Sequence, residues 1–288
     1  WATEREVLRS LERLGHEARI LGIHDDLEPI WRELARDPPD VVFNLCEGFA
    51  GDRAFEPHLV SLFELFRIPC TGTGAAGLLL CKDKGLTRKI LSYHRIPAPK
   101  FAVLRRTEKR IWLPRELQYP LLIKPLEWEA SEGIAKPSYA ESAGDAEERL
   151  EYIHRKLETD AIAEEYIDGR ELYLGVMGNE RVKTLPVREL YFDAVPEGEP
   201  RIATFRAKWD DEYREKWGIK NAFARTLPEG VERRLAALSR KVFGIMGLRG
   251  FARMDLRLRP DGRIYFIEAN PNPALGELDD FAVSAAKA

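Results

Sequence analysis

The sequence predicts an α/β chain: a doubly wound parallel sheet at the N-terminal end and α+β organisation over the C-terminal half. Three observations carry this. Short apolar runs at 18–23, 41–45 and 68–70 alternate with helical stretches, the order that a parallel sheet requires. Residues 171–177, 183–190 and 202–206 follow one another as strand-like runs with no helix between them, which reads as an antiparallel meander. Residues 251–258 and 263–269 flank Arg259-Pro260-Asp261-Gly262, where Pro and Gly stand at the places a type I turn gives them.

In chain order, Val7, Leu8, Leu11 and Leu14 predict a helix over 4–15, stopped by Gly15. A strand at 18–23, a helix at 27–36, a strand at 41–45 beyond Pro38-Pro39 and a helix at 57–66 come next. A doubly wound sheet opens with a strand and this chain opens with a helix, so the domain's first strand is expected to be missing; the C-terminus likewise stops inside an apparent helix at 279–288. Gly72-Thr73-Gly74-Ala75-Ala76-Gly77 matches the pattern GxGxxG, but residues 92–101 supply no acid for a ribose, so the glycines read as a tight turn before a helix at 82–91. Pro97 and Pro99 mark a boundary. Beyond them lie strands at 101–104 and 121–125, a small-residue loop at 126–134, a helix at 145–157, a strand at 161–167 and, after the meander, a helix at 229–246. The expected units are 1–95, 96–167 and 168–288.

Composition narrows the function. The 288 residues are 44% hydrophobic, ample for buried cores, and a length that suggests about two domains. A net charge of −3 does not ask for nucleic acid or an anionic membrane. No apolar run approaches the roughly 20 residues of a membrane span, and the charged N-terminus is unlike a signal peptide. Cys46, Cys70 and Cys81 form no CxxC pair, which predicts reduced thiols in the cytoplasm. The five histidines lack zinc spacing.

The chemistry concentrates in the hairpin. Alternation places Ala252, Met254, Leu256 and Leu258 on one face and Arg253, Asp255 and Arg257 on the other. A four-residue loop at 260–263 sets Asp255 opposite Glu268, with Asn270 on the same face. Two carboxylates that close repel unless a cation lies between them, and Asp, Glu and Asn oxygens on rigid strands suit Mg²⁺. The same pattern also describes a solvated hairpin face with Arg253 paired to a carboxylate. Lys124 ends an apolar strand, where a lysine either snorkels to solvent or offers its ammonium to an anion. The loop after it, with Ser131, could fold over phosphates through its backbone N–H groups. Lys84 opens a helix and taken alone reads as a surface lysine; Lys208 lies on a polar loop beside Trp209. The strand edge at 163–167 could pair with an adenine, with Glu171 in reach of a ribose. No Gly-Lys-Ser/Thr occurs, which excludes a P-loop.

Five segments in this order, CTGTGAAGLLLCKDK, LLIKP with its SEGI loop, AEEYIDGREL, AKW and RMDLRLRPDGRIYFIEANPNP, resemble the ATP-grasp superfamily and, within it, the D-alanine–D-alanine ligase family. The likeness runs from residue 41 to residue 273. It implies an ATP-grasp fold, in which two α+β subdomains sandwich ATP. It also implies ATP and Mg²⁺ (two ions, with Mn²⁺ as a substitute), small amino-acid-like substrates and a possible homodimer. By position, Lys84 and Lys124 match the phosphate-contacting lysines, and Glu164, Tyr166, Ile167 and Glu171 the adenine and ribose stretch. Ser131 matches the loop serine near the γ-phosphate, Lys208 a further nucleotide-facing lysine, and Asp255, Glu268 and Asn270 the metal ligands. Arg253 matches the arginine that stabilises charge as an acyl-phosphate reacts with an amine; Ser131 and Lys208 join it in the implied catalytic set.

The departures from the family lie at the substrate end. Ala130 stands where a serine is usual, Glu47 in place of a histidine, Trp209 in place of a tyrosine, and Pro273-Ala274 in place of Pro-Gly. Glu4 sits in a family-like EREV with too short a spacing to the next helix. The expectation is therefore an ATP-dependent carboxylate–amine ligase with an altered substrate end. The alternatives are a genuine D-alanine–D-alanine ligase, a catalytically inactive nucleotide-binding module, and a dehydrogenase resting only on the glycines at 72–77.

Overall fold

A computed structural model of the chain describes residues 2–108 and 113–288. The chain opens with α1 (Ala2–Arg13), α2 (Glu28–Arg36) and α3 (Glu56–Leu65), the last two carrying a proline in the first turn, where a missing N–H costs nothing. No strand forms over the expected 18–23, where Ile20 and Leu21 stay 46% and 40% exposed. Of the expected parallel sheet, the described residues hold one parallel bridge between Val42 and Cys70. There the Val42 N–H donates to the Pro69 carbonyl (2.8 Å) and the Thr71 N–H to the Val42 carbonyl (2.9 Å).

The helix expected at 82–91 is two helices, α4 (Ala75–Lys82) and α5 (Lys84–Tyr93). Asp83 breaks them by accepting the Leu86 N–H (2.9 Å), an N-cap that restarts the helix. The break leaves Lys82 and Lys84 at facing helix ends. The glycines before it serve packing: a Cβ on Gly74 would strike the Arg249 guanidinium, one on Gly77 would lie 3.0 Å from Leu248, and Gly72 is left-handed at φ +80°. No dinucleotide role is needed to explain them.

A four-stranded antiparallel sheet follows, in the order β1 (Phe101–Leu104), β4 (Ala161–Glu165), β2 (Leu121–Pro125), β3 (Tyr139–Ala140). Helix α6 (Ala143–Lys156), opened by a Ser142/Asp145 capping box, lays Leu150 and Ile153 against Leu121, Ile123 and Ala163. The second sheet runs β10–β9–β5–β7–β8, with β6 (Lys183–Thr184) beside β5. Its strands are β5 (Arg170–Met177), β7 (Arg188–Phe192), β8 (Ile219–Phe223), β9 (Phe251–Leu258) and β10 (Ile264–Asn270). Helix α9 (Val231–Ile245) packs Leu235, Val242 and Phe243 on Leu172, Met254 and Leu256, each fully buried side chain contributing about 1.5–3 kcal/mol.

The strand expected at 202–206 is instead the start of α7 (Phe205–Trp209), followed by α8 (Asp211–Lys216). Thr204 accepts the Ala207 N–H (3.1 Å) and Asp210 the Tyr213 N–H (2.9 Å); these caps start helices where apolar content alone suggests a strand. The chain closes with α10 (Asp280–Lys287).

The hairpin reaches the expected pairing by a different route. Ile264 pairs with Leu258, so the connection is five residues long, 259–263, rather than four. On that register alone Glu268 would face Met254 and the core. A bulge at Ile267 shifts the ladder by one residue and sets Glu268 opposite Asp255 and Asn270 opposite Arg253.

Candidate nucleotide and metal site

Charged side chains of α5 bridge the two sheets. Lys84, 6% exposed, reaches from the start of α5 to the Glu268 carboxylate (3.3 Å) and donates to the Trp128 carbonyl (2.5 Å). Lys124, on β2, pairs with Glu164 on β4 (2.8 Å), and Arg88 of α5 takes the other Glu164 oxygen (2.6 Å) while donating to the Ile267 carbonyl. All three of these charges are at most 3% exposed. Burial alone would raise both acids. Arg88 and Lys124 nevertheless bring Glu164 down to about 2, and Lys84, Lys124 and Lys208 bring Glu268 to about 2. Lys208 sits on α7 rather than on the loop expected, and its charge acts on both Glu268 and Asp255.

Along β9, Arg253 grips Asp255 with two bonds (2.7 and 3.0 Å) and lies 4.9 Å from the Tyr173 ring centre. Burial raises the Asp255 carboxyl, and neighbouring Glu268 raises it further, while Arg253 and Lys208 pull the other way. The donor set fits a divalent metal: two carboxylates and an amide offer hard oxygens on adjacent strands. Asp255 keeps lone pairs beyond those used by Arg253, and Asn270 beyond the bond from the Asn272 N–H (3.1 Å).

The residues matched to adenine and ribose are held by the protein's own side chains. Ile167 is buried at 7% exposure. Tyr166 accepts the Arg201 N–H on its hydroxyl (3.0 Å). Glu171 is held on both oxygens, by Arg257 (2.6 Å) and by the Tyr173 hydroxyl (2.8 Å). Arg257 also donates to the carbonyls of Gly169 and Arg201 (3.0 and 2.7 Å). Ser131 is 9% exposed at φ +61°, inside a loop tied to α7. There the Trp209 indole donates to the Ala130 carbonyl (3.1 Å) and the Phe205 N–H to the Ile134 carbonyl (3.0 Å).

Sequence reasoning missed four groups here. Arg88 and Arg257, both buried, organise Glu164 and Glu171, and nothing in their local pattern distinguishes them from surface arginines. Lys82 (8% exposed) and Glu56 (4%) pair at 3.1 Å. Glu129 lies 3.5 Å from Lys82, and the Asn272 amide donates to Glu56 (2.9 Å) and to the Cys46 carbonyl (3.0 Å). This buried knot joins α3, the helix break, the loop after β2 and the turn after β10. Glu47 and Glu132 meet through Arg53 (3.5 and 3.2 Å).

Two antiparallel sheets joined through buried lysines, arginine and carboxylates are consistent with the ATP-grasp architecture. D-alanine–D-alanine ligase from Bacillus anthracis, solved in complex with ATP, superimposes with a TM-score of 0.76 over 99% of this chain and 85% of that one, at 20% identity. Residues 90–288 match the family model described as D-ala D-ala ligase C-terminus. The D-alanine–D-alanine ligase of Cupriavidus metallidurans is 30% identical over 93% of this chain and 76% of its own length. An uncharacterized protein of Sinorhizobium fredii, y4sG, is 28% identical over 97% of this chain and 80% of its own. The chain belongs to the D-alanine–D-alanine ligase family, a family of ATP-dependent ligases that release ADP and phosphate.

Proposed function

We propose that this chain is an ATP- and Mg²⁺-dependent carboxylate–amine ligase for small amino-acid-like substrates, working through an acyl-phosphate. One observation carries the reading: Lys84 pairs with Glu268 (3.3 Å) opposite Asp255, and the charges of Lys124 and Lys208 add to its pull on that carboxyl. In this reading the unit 1–95 meets two ATP-grasp units, 96–167 and 168–288, whose separate sheets span 101–165 and 170–270.

Lys84 and Lys124 take the phosphates, with Glu164 and Arg88 fixing the Lys124 ammonium. The loop at 129–134, with Ser131, covers them, and the stretch Glu164–Ile167 with Glu171 borders adenine and ribose. Asp255, Glu268 and Asn270 would hold Mg²⁺, or Mn²⁺, whose charge offsets that of the phosphates. A substrate carboxylate oxygen takes the γ-phosphoryl group and ADP leaves. An amine then attacks the acyl carbon, giving up its proton as phosphate departs and an amide remains. Asp255 uses two of Arg253's five N–H donors, which leaves others for the oxyanion that develops.

The substrate end departs from plain D-alanine–D-alanine ligation. In the turn after β10, Pro271 and Pro273 have no N–H to offer. The Gly276 and Glu277 N–H groups already donate to this chain's own carboxylates, Asp279 (2.8 Å) and Glu6 (2.8 Å). A free α-carboxylate arriving there meets acids and spent donors. We expect D-alanine to be a poor acceptor and an amine without an α-carboxylate at that point to do better. Phosphate release with D-alanine alone, against a panel of amino acids and amines, checks this. Turnover on D-alanine equal to that of the best panel member would restore the cell-wall ligase reading, and no turnover with any substrate, despite ATP binding, would favour an inactive nucleotide-binding module.

A further inference from the structure

Behind the loop at 129–134, on the side formed by α6, α7 and α8, lies a groove of about 750 Å³. That size is within the range of small-molecule sites. None of the residues matched to nucleotide or metal lines it. Its walls are aromatic: Trp128, Tyr152, Phe205, Tyr213 and Trp217, with the single lining acid, Glu212, at its edge. Arg206 and Lys216 already sit over two of those rings, Tyr213 (4.7 Å) and Trp217 (5.0 Å).

Arg149 also lines the groove and is the anomaly of the fold. Among the described residues four arginines are less than 9% exposed: Arg88, Arg149, Arg188 and Arg257. Three of them have a carboxylate at 2.6–2.9 Å, namely Glu164, Asp280 and Glu171. Among the described residues Arg149 has none. Its Nη2 donates to the Gly133 carbonyl, its plane lies 4.9 Å from the Tyr152 ring centre, and its Nε is buried without a partner. Burial pushes its pKa down and no nearby carboxylate offsets the effect. A buried guanidinium left without an anion is costly, and an oxyanion is what its fork geometry accepts.

We propose that this groove binds a small molecule made of a flat aromatic ring and an oxyanion, with the oxyanion on Arg149 and the ring between Tyr152 and Trp217. Phosphate and carboxylate share the required chemistry, and the test separates them. Titration calorimetry of the full chain, saturated with ADP·Mg²⁺ to fill the nucleotide site, is run with phenyl phosphate, phenylacetate, inorganic phosphate and phenol. The expected result is one equivalent of phenyl phosphate or phenylacetate bound, the tighter of the two naming the anion, with inorganic phosphate and phenol much weaker. Arg149→Met should weaken binding at least about tenfold, as expected for a lost charge-assisted bond. Should that variant fail to fold, Tyr152→Ala decides, because Tyr152 is 46% exposed and its removal should weaken the aryl anion without unfolding the chain. Failure of both aryl anions to bind, binding abolished by ADP·Mg²⁺, phenol binding as well as phenyl phosphate, or affinity untouched by the substitutions would each overturn the assignment.

Discussion

Three lysines from α5, β2 and α7 set the ionisation of Glu268, overcoming the burial that would otherwise raise it. Glu268→Gln keeps the shape and deletes the charge these lysines and a metal converge on. ADP formation at saturating Mg²⁺ should fall by about a hundredfold or more, in line with losing one preorganised electrostatic contact, and the urea midpoint should fall as well because the buried Lys84 loses its carboxylate. Unaltered turnover would remove Glu268 from the metal set. Glu164 is held by two buried cations, Arg88 and Lys124. Its folded pKa of about 2 lies below the ordinary 4.5, so its contribution to stability is complete above about pH 4.5 and is lost as pH falls toward 2. Glu164→Gln leaves Arg88 and Lys124 buried without their anion, a loss of about 3–5 kcal/mol at pH 7. Urea denaturation at pH 7, 4.5 and 3 should show the gap between wild type and variant narrowing on the acid side; a constant gap would contradict the pairing.

Beside the strand residues, a loop completes the site. The loop at 129–134 is seated by Trp209, Phe205 and Arg149, and by Lys84 and Lys82 from the helix break. Trp209 is 61% exposed, so Trp209→Phe should leave the melting temperature nearly unchanged while removing one bond to the loop, worth about 0.5–1.5 kcal/mol. The KM for ATP should rise about two- to tenfold; an unchanged KM would mean that this bond does not govern loop closure. The β9–β10 hairpin shows the same dependence on a local detail. One bulged residue, Ile267, decides whether Glu268 faces Asp255 or the core.

At the scale of the whole molecule, the N-terminal unit is joined to the C-terminal sheet by close contacts: a Cβ on Gly250 would lie 2.8 Å from the Gly72 carbonyl oxygen. The GxGxxG stretch is absorbed by that packing. ATP·Mg²⁺ at a hundred times its Kd should therefore stabilise the fold by about 2.7 kcal/mol in a thermal-shift assay, and NAD should not. A shift with NAD alone would reverse the assignment. Among the described residues no helix is long and apolar enough to cross a membrane.

Alternation and turn residues made the strands at 101–104, 121–125 and 251–258 legible, because each depends on neighbours within a few positions. The order of five motifs was enough to identify the family. Asp255, Glu268 and Asn270 could be grouped from the alternation of the hairpin, whereas Lys84 and Lys124 were singled out only by the family resemblance. Other features depended on long-range packing. Arg88 and Glu164 are 76 positions apart, Glu56 and Asn272 216, and Glu6 and Glu277 271. Nothing in a local window says that a given arginine will be buried against a particular acid, that Thr204 will cap a helix where a strand was expected, or that Glu6 will occupy an N–H of a distant turn. Side-chain partnership across such separations is set by how the layers close on one another, and only the tertiary structure decides it.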